Sequence, residues 1–143
     1  MYRTLLVATD GSADAETALE HAVELAASTG AQLHVVSVVE TRTAYDNAII
    51  DPEKVKANLR ADAAAAVERA EAAATDAGVE CRSEVLEGPP PEHILEAAER
   101  IDADAIVVGA TGRSGFKRLV LGGTAERLLE ASSIPVVVIG GDA

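Results

Sequence analysis

The sequence predicts a single α/β domain over residues 1–143, built on an open parallel sheet of five strands with helices on both faces. Short apolar runs alternate with longer stretches of helical period, which is typical of repeated strand–helix–strand units. Most of these runs are continuously apolar, as strands buried on both faces are. A length of 143 residues suits one domain with a substantial core.

The first half of the chain predicts two strands and two helices. In chain order these are a strand at 4–9, a helix at 12–29 that ends at Gly30, a strand at 33–39, and a helix that begins at Pro52 after an Asp51 N-cap and stops at Gly78. One apolar face of the first helix carries Ala15, Ala18, Leu19, Ala22, Val23 and Ala26. The matching face of the second carries Val55, Leu59, Ala63, Ala66, Val67 and Ala70.

The second half predicts three strands and two helices. In chain order these are a strand at 79–87, a helix after the prolines at 89–91, a strand at 104–109, a helix at 125–131 and a strand at 134–140. The apolar face of the helix after the prolines carries Ile94, Leu95, Ala98 and Ile101.

The strand order 3-2-1-4-5 follows from how each strand is patterned. The third strand alternates polar and apolar residues, as an edge strand does, whereas the second is continuously apolar, as an interior strand should be. The other common five-strand order, 2-1-3-4-5, would put the second strand on an edge. In the order 3-2-1-4-5 the topological switch lies between the first and fourth strands, where open α/β sheets form their ligand crevice.

Composition excludes several classes of partner. A formal net charge of −12 repels nucleic-acid phosphates, and aromatic residues make up only 2% of the chain, so few rings could stack on bases. No apolar run has the length of a membrane span, and the start lacks a signal-peptide pattern. A single cysteine, Cys81, fits a reducing cytoplasm. The acidic balance with only three lysines favours adaptation to a high-salt cytoplasm; an ordinary acidic protein is the alternative.

A glycine-rich stretch follows the predicted fourth strand. Residues 109–124 read GATGRSGFKRLVLGGT and contain Arg113 among three basic residues, with no acidic residue between Ala105 and Ala125. Gly122, Gly123 and Thr124 open the last predicted helix, where unpaired N–H groups and the helix dipole favour an anion. The pattern therefore predicts phosphate binding at the crevice. A purely structural turn, with Thr124 as its helix N-cap, is about equally compatible with the residues alone.

The spacing of these glycines resembles the universal stress protein family, and the likeness extends over essentially the whole chain. ATP-binding members carry Gly-x2-Gly-x9-Gly followed by Ser or Thr, and Gly109, Gly112 and Gly122 reproduce that spacing. The VATDGS opening and the IPVVVI close are similar to the family too. One position departs: Gly123 follows the last glycine, and the hydroxyl comes one residue later, on Thr124.

The resemblance implies a Rossmann-like fold of the adenine nucleotide alpha hydrolase type and a cytoplasmic, ATP-binding, stress-response regulatory protein. It implies that Mg²⁺ or Mn²⁺ would be held mainly by the nucleotide phosphates, with no dedicated metal site. It also implies a homodimer through the uncharged last strand, at Pro135, Val136, Val137 and Val138. The nucleotide-binding residues that it implies are Ala8, Thr9, Asp10, Val38, Gly109, Gly112, Arg113, Gly122, Gly123 and Thr124.

The residues alone are also compatible with two other functions. One is a slow ATPase or a phosphotransfer protein that modifies Thr111 or Ser114, with Asp10 as the only obvious general base. The other is a nucleotide-free dimeric interaction module whose glycine stretch is structural. No catalytic residue is predicted, because Ser114 has no histidine nearby in sequence to activate it.

Several reactive residue types are interpreted as structural. His21, His34 and His93 lie on three different predicted elements without a partner at metal-ligand spacing. Asp102 and Asp104 are expected to face away from the crevice, because they lie between a helix end and a strand start. Cys81, on the predicted edge strand, is expected to act as a small hydrophobic residue.

Overall fold

The computed structural model describes residues 2–40, 52–111 and 121–140. No helix in these ranges is long and apolar enough to cross a membrane. The elements in chain order are β1 (Thr4–Ala8), α1 (Ala13–Thr29), β2 (Gln32–Val39), α2 (Pro52–Asp76), β3 (Cys81–Glu87), α3 (Pro90–Arg100), β4 (Ala105–Gly109), α4 (Gly123–Ala131) and β5 (Val136–Ile139).

The five strands form one parallel sheet in the order β3-β2-β1-β4-β5, which confirms the predicted fold class and strand order. β1 pairs with β2 on one side and with β4 on the other. The chain adds β2 and β3 on the first side of β1 and then β4 and β5 on the second side, so the order of strand addition reverses between β1 and β4. β3 is an edge strand, and each of its residues is at least partly exposed. The reversal places the carboxyl ends of β1, β2 and β4 around one crevice.

Alternate residues of the central strands face two separate cores. Leu5 and Val7 pack with α1 and α2 on one face, whereas Leu6 and Ile106 pack with α3 and α4 on the other. All six residues predicted for the apolar face of α1 are buried. Alanines dominate the helix faces, and their small side chains allow the helices to approach the sheet closely.

The carboxyl ends of α1 and α2 follow the predicted glycine signals. Ser12 caps α1, whose C-terminal cap Gly30 has a φ of 75°, and Gly78 has a φ of 74° just beyond α2. The Asp51 N-cap predicted for α2 lies outside the described residues. Val55 and Leu59 are half-buried rather than buried, because the first part of α2 lies at the margin of the core; Leu59 lines a cleft instead.

Candidate functional site

A cleft of about 710 Å³ lies at the carboxyl ends of β1, β2 and β4, where the sequence predicts a ligand crevice. The turn from β1 into α1 and the start of α4 form its polar side. Residues of α2 and α3 form an apolar side, so the cleft offers two chemically different compartments.

The turn between β1 and α1 uses its own side chains to satisfy its backbone. The buried Thr9 accepts a hydrogen bond from the N–H of Gly11 at 3.2 Å through Oγ1. Asp10 accepts from the N–H of Ser12 at 2.9 Å through Oδ1, and the Ser12 hydroxyl accepts from the N–H of Ala15 at 3.3 Å. The amino terminus of α1 is therefore already capped.

Gly109 ends β4 where the backbone of α1 comes closest. A Cβ added at Gly109 would lie 2.8 Å from the Asp14 carbonyl carbon and 2.9 Å from the Ala15 nitrogen. Neither backbone atom can move without shifting the helix, so no side chain fits here. The first glycine of the Gly-x2-Gly-x9-Gly spacing is thus required by helix packing, whatever else it contacts.

The amino terminus of α4 lies on the opposite side of the crevice and has no side-chain cap. The Gly122 N–H donates to the carbonyl of Ala110 at 2.7 Å, which ties the start of this helix to the end of β4. The first hydrogen bond within the helix runs from the Glu126 N–H to the Gly122 carbonyl at 3.0 Å. The amides of residues 123–125 precede that bond and lack a helical partner, so their N–H groups lie at the positive end of the helix dipole as donors.

Among the described residues, the apolar side of the cleft has no comparable helix start with free N–H groups. α3 begins with Pro90 and Pro91, which have no N–H to offer a ligand. Leu59 and Ala63 of α2 and Val38 of β2 line the same cleft. This compartment is suited to a flat apolar group rather than to a charged one.

The structure brings together every described residue that the sequence predicts for nucleotide binding. Lining the same cleft are Ala8, Thr9, Asp10, Val38, Gly109, Gly122, Gly123 and Thr124. Gly112 and Arg113, together with Ser114, lie outside the described residues. The alternative interpretation of Thr124 as a helix N-cap is wrong, because Gly122 holds that position and Thr124 is the second residue of α4.

Several residues outside the predicted site also line the cleft, among them Glu40 just after β2. Thr111 and the α3 prolines line the cleft, as does the pair Leu59 and Ala63. The sequence predicts the apolar stripe of α2 that contains Leu59 and Ala63, but it does not distinguish the residues of this stripe that face the core from those that face the cleft. A stripe that extends beyond the residues needed to cover the sheet was the available signal.

The histidines do not form a metal site: within the described ranges, no three or more His, Cys, Asp or Glu residues come together as metal ligands. His21 is exposed. His34 makes a 2.6 Å hydrogen bond with Glu84 on the neighbouring strand, and the ring of His93 packs on Gly88. Arg100 of α3 also donates to Glu84, at 2.9 Å, so this polar group links β2, β3 and α3 away from the cleft.

Asp104 and Cys81 have structural roles. Oδ2 of Asp104 accepts the N–H groups of Arg3 and Thr4 at 2.8 and 3.0 Å, at the end of the sheet opposite the cleft. These two bonds hold the pKa of Asp104 below its ordinary value. Burial, with a smaller contribution from the Glu71 carboxylate, raises the pKa of the Cys81 thiol to about 11. The thiol is therefore neutral and unreactive at pH 7.

The chain matches the model of the universal stress protein family over residues 1–140. A universal stress protein of Methanocaldococcus jannaschii is 32% identical over 140 residues, which cover 97% of this chain and 82% of the relative.

Two solved structures with bound nucleotides have the same fold. A universal stress protein from Archaeoglobus fulgidus in complex with dAMP has a TM-score of 0.70 and 25% identity, over 96% of this chain and 98% of its own. A universal stress protein in complex with cAMP has a TM-score of 0.75 and 25% identity, over 99% of each chain. The nearly full-length family match, the 32% identical relative and the glycine spacing agree, and the chain belongs to the universal stress protein family.

Proposed function

We propose that this protein binds ATP, or a closely related adenine nucleotide, in the cleft between β1 and β4, and that it acts as a stress-response regulator without dedicated chemistry. The observation that carries the proposal is the uncapped amino terminus of α4, which faces a cleft with an apolar far side. Nucleotides have this division into an anionic end and an apolar base.

The phosphates would bind the start of α4. The amides of Gly123, Thr124 and Ala125 supply donors, and the helix dipole adds positive potential there. The family resemblance adds Gly112 and Arg113 to this end of the site. A chain of net charge −12 would repel a triphosphate elsewhere, and the acid-free interval from Ala105 to Ala125 provides the local relief that an anion requires.

The nucleoside would occupy the other compartment. Val38 would pack on the base from the sheet, between Leu59 of α2 and the α3 prolines. Ala8, Thr9 and Asp10 border the space between the two compartments, which is where a ribose would lie. The dAMP and cAMP complexes of the two structural relatives support an adenine nucleotide as the ligand class.

A divalent ion would enter with the nucleotide. Mg²⁺ coordinates phosphate oxygens and keeps several waters, so it needs few protein ligands, and Mn²⁺ can use the same oxygen ligands. Of the two described carboxylates that line the cleft, Asp10 and Glu40, Asp10 lies in the β1–α1 turn and could contact such an ion, directly or through water. One of its oxygens already accepts the Ser12 N–H, which fits a modest role.

We also propose a cytoplasmic homodimer that pairs through β5. Val136–Ile139 form an edge strand whose residues are all partly exposed, and no charged residue interrupts 134–140. Pairing would involve Pro135, Val136, Val137 and Val138. Sedimentation at micromolar concentration should give twice the 14.7 kDa chain mass, and a monomer would contradict this part of the proposal.

Calorimetric titration tests the proposed ligand. ATP with Mg²⁺ should bind more tightly than adenosine, because only ATP engages the amides of α4, and GTP should bind more weakly than ATP. Nucleotide released from freshly purified, denatured protein should be an adenine nucleotide. Absence of ATP binding would contradict the proposal, and phosphate release at ordinary enzymatic rates would contradict the regulatory assignment.

A further inference from the structure

Asp14, in the first turn of α1, joins this helix to the exit of β4. Its Oδ2 accepts two hydrogen bonds from Thr111, one from the N–H at 3.1 Å and one from the hydroxyl at 2.6 Å. The two residues are 97 positions apart in the sequence, and both are half-buried. Thr111 lines the cleft directly beside Gly109 and Ala110.

The contact is more specific than a helix-terminal acid requires. Any carboxylate in the first turn interacts favourably with the helix dipole, and Glu16 of the same turn does so while it pairs with Arg69 at the surface. The N-cap function belongs to Ser12. Asp14 instead directs one oxygen at both donors of a single residue, at the point where Gly109 allows the two backbones to touch.

The contact continues toward the proposed phosphate site. Asp14 holds Thr111, whose neighbour Ala110 accepts the Gly122 N–H at 2.7 Å. Ala110 also donates its own N–H to the Ile139 carbonyl at 2.8 Å, which anchors it to β5. Because Gly122 is the N-cap of α4, the position of residues 109–111 determines where the open amides of α4 point.

We propose that Asp14 is a positioning residue of the ligand site: its two hydrogen bonds to Thr111 fix the β4 exit, and thereby the amino terminus of α4, for anion binding. This role rests on the proposed function. Asp14 need not touch the nucleotide, since its effect passes through Thr111 and Ala110. An anion site made of backbone amides depends on such support, because amides cannot adjust as flexible side chains can.

The test compares ATP binding by three folded variants. Asp14→Ala should weaken binding about tenfold, because ATP would then have to order the β4 exit that the two hydrogen bonds already hold in place in the wild type. Asp14→Asn should stay within about threefold of wild type, because both bonds end on one oxygen that an amide oxygen can replace. Glu16→Ala removes a carboxylate from the same turn and should change binding by less than about twofold.

Amide hydrogen exchange gives a readout that does not depend on the ligand. Asp14→Ala should speed exchange at the Thr111 and Gly122 N–H groups in the nucleotide-free protein, whereas Glu16→Ala should not. If wild type fails to bind ATP but exchange responds as expected, the proposed function is wrong and the positioning contact stands. Unchanged exchange and unchanged affinity in folded Asp14→Ala would overturn the inference. Equal affinity losses in Asp14→Ala and Asp14→Asn would also overturn it, because the charge would then matter rather than the geometry.

Discussion

The amino termini of α1 and α4 both border the cleft, yet their backbone N–H groups are satisfied in opposite ways. In the β1–α1 turn, Thr9, Asp10 and Ser12 each accept a nearby backbone N–H. At the start of α4, Gly122 is the N-cap without a side-chain bond. The sequences differ accordingly, TDGS in the first case and LGGT in the second.

The comparison shows that position in the fold does not by itself make a binding site. Both helices direct their amino termini at the crevice, and both have a favourable dipole. α1 uses its polar side chains to cap itself, whereas α4 has glycine where a capping side chain would be. The lack of a side-chain cap leaves backbone N–H donors at the start of α4, and this difference is the reason we propose the phosphate site there.

The largest expected effect is on stability, at the close contact between the end of β4 and the start of α1. Gly109→Ala should lower the free energy of unfolding by about 2–3 kcal/mol, because the new Cβ would lie under 3.0 Å from the backbone of α1. Gly123→Ala is the matched control, since a Cβ there meets no atom of the described residues within 4 Å. Urea unfolding measures both variants, and equal stabilities would show that the close contact is not a constraint.

Removal of one amide from α4 should have the next largest effect. Gly123→Pro deletes an N–H at the first helical position, where proline is well tolerated, and Gly122 already has the extended backbone that precedes proline, with φ −63° and ψ 153°. ATP affinity should fall about tenfold or more, the loss expected for a hydrogen bond to a charged group. Gly123→Ala keeps the amide and should bind ATP normally, so equal titration curves for the two variants would contradict the role of α4.

The opposite experiment removes the cap of α1. Ser12→Ala should lower the free energy of unfolding by about 0.5–1 kcal/mol, at the low end of the capping range because the bond to Ala15 is long at 3.3 Å. ATP affinity should not change, because we do not propose that the Ala15 N–H or its neighbours at the start of α1 bind the nucleotide. Thermal unfolding and titration of the same sample measure both quantities. A large affinity loss would place the ligand at α1 instead.

The smallest expected effect on stability is at Glu84, which lies away from the starts of both α1 and α4. Burial tends to raise the pKa of Glu84, but hydrogen bonds with Arg100 and His34 outweigh it and lower that pKa below its ordinary value. Because the folded-state pKa is lower than the unfolded-state pKa of about 4.3, ionised Glu84 stabilises the fold at pH values above that unfolded-state pKa. This stabilisation is lost as the pH falls through the folded-state pKa.

Glu84→Gln should therefore cost about 0.5 kcal/mol at pH 7 and less as the pH falls below about 4. Its ATP affinity at pH 7 should equal that of wild type, because Glu84 does not line the cleft. Urea unfolding across this pH range measures the difference. A stability gap that widens in acid would reverse the assigned direction of the pKa shift.

Most of the fold could be predicted because its signals are local. Apolar runs mark the interior strands, and Gly30 and Gly78 mark helix ends. The alternating pattern of β3 against the apolar pattern of β2 was enough to choose the strand order. Boundaries were less accurate, because α4 begins at Gly123 rather than Ala125. Gly123 and Thr124 resemble a turn in the sequence, yet they occupy the first two positions of the helix.

The candidate site could be located from the sequence but not built from it. Glycine spacing and strand context identified Gly109 and Gly122, while the contact between Asp14 and Thr111 gave no signal. A carboxylate in the first turn of a helix has an ordinary explanation, and its partner is 97 residues away. The constraint on Gly109 was likewise hidden, because it comes from the backbone of α1 and not from any neighbour in the sequence.

The most direct test of the central claim is to follow each backbone amide by two-dimensional NMR as ATP and Mg²⁺ are added. Large shifts are expected for Gly123, Thr124 and Ala125, and small shifts for the Gly11 and Ser12 amides, whose N–H groups are already bonded to side chains. Saturating nucleotide that moved the α1 amides and left those of α4 unchanged would contradict this claim.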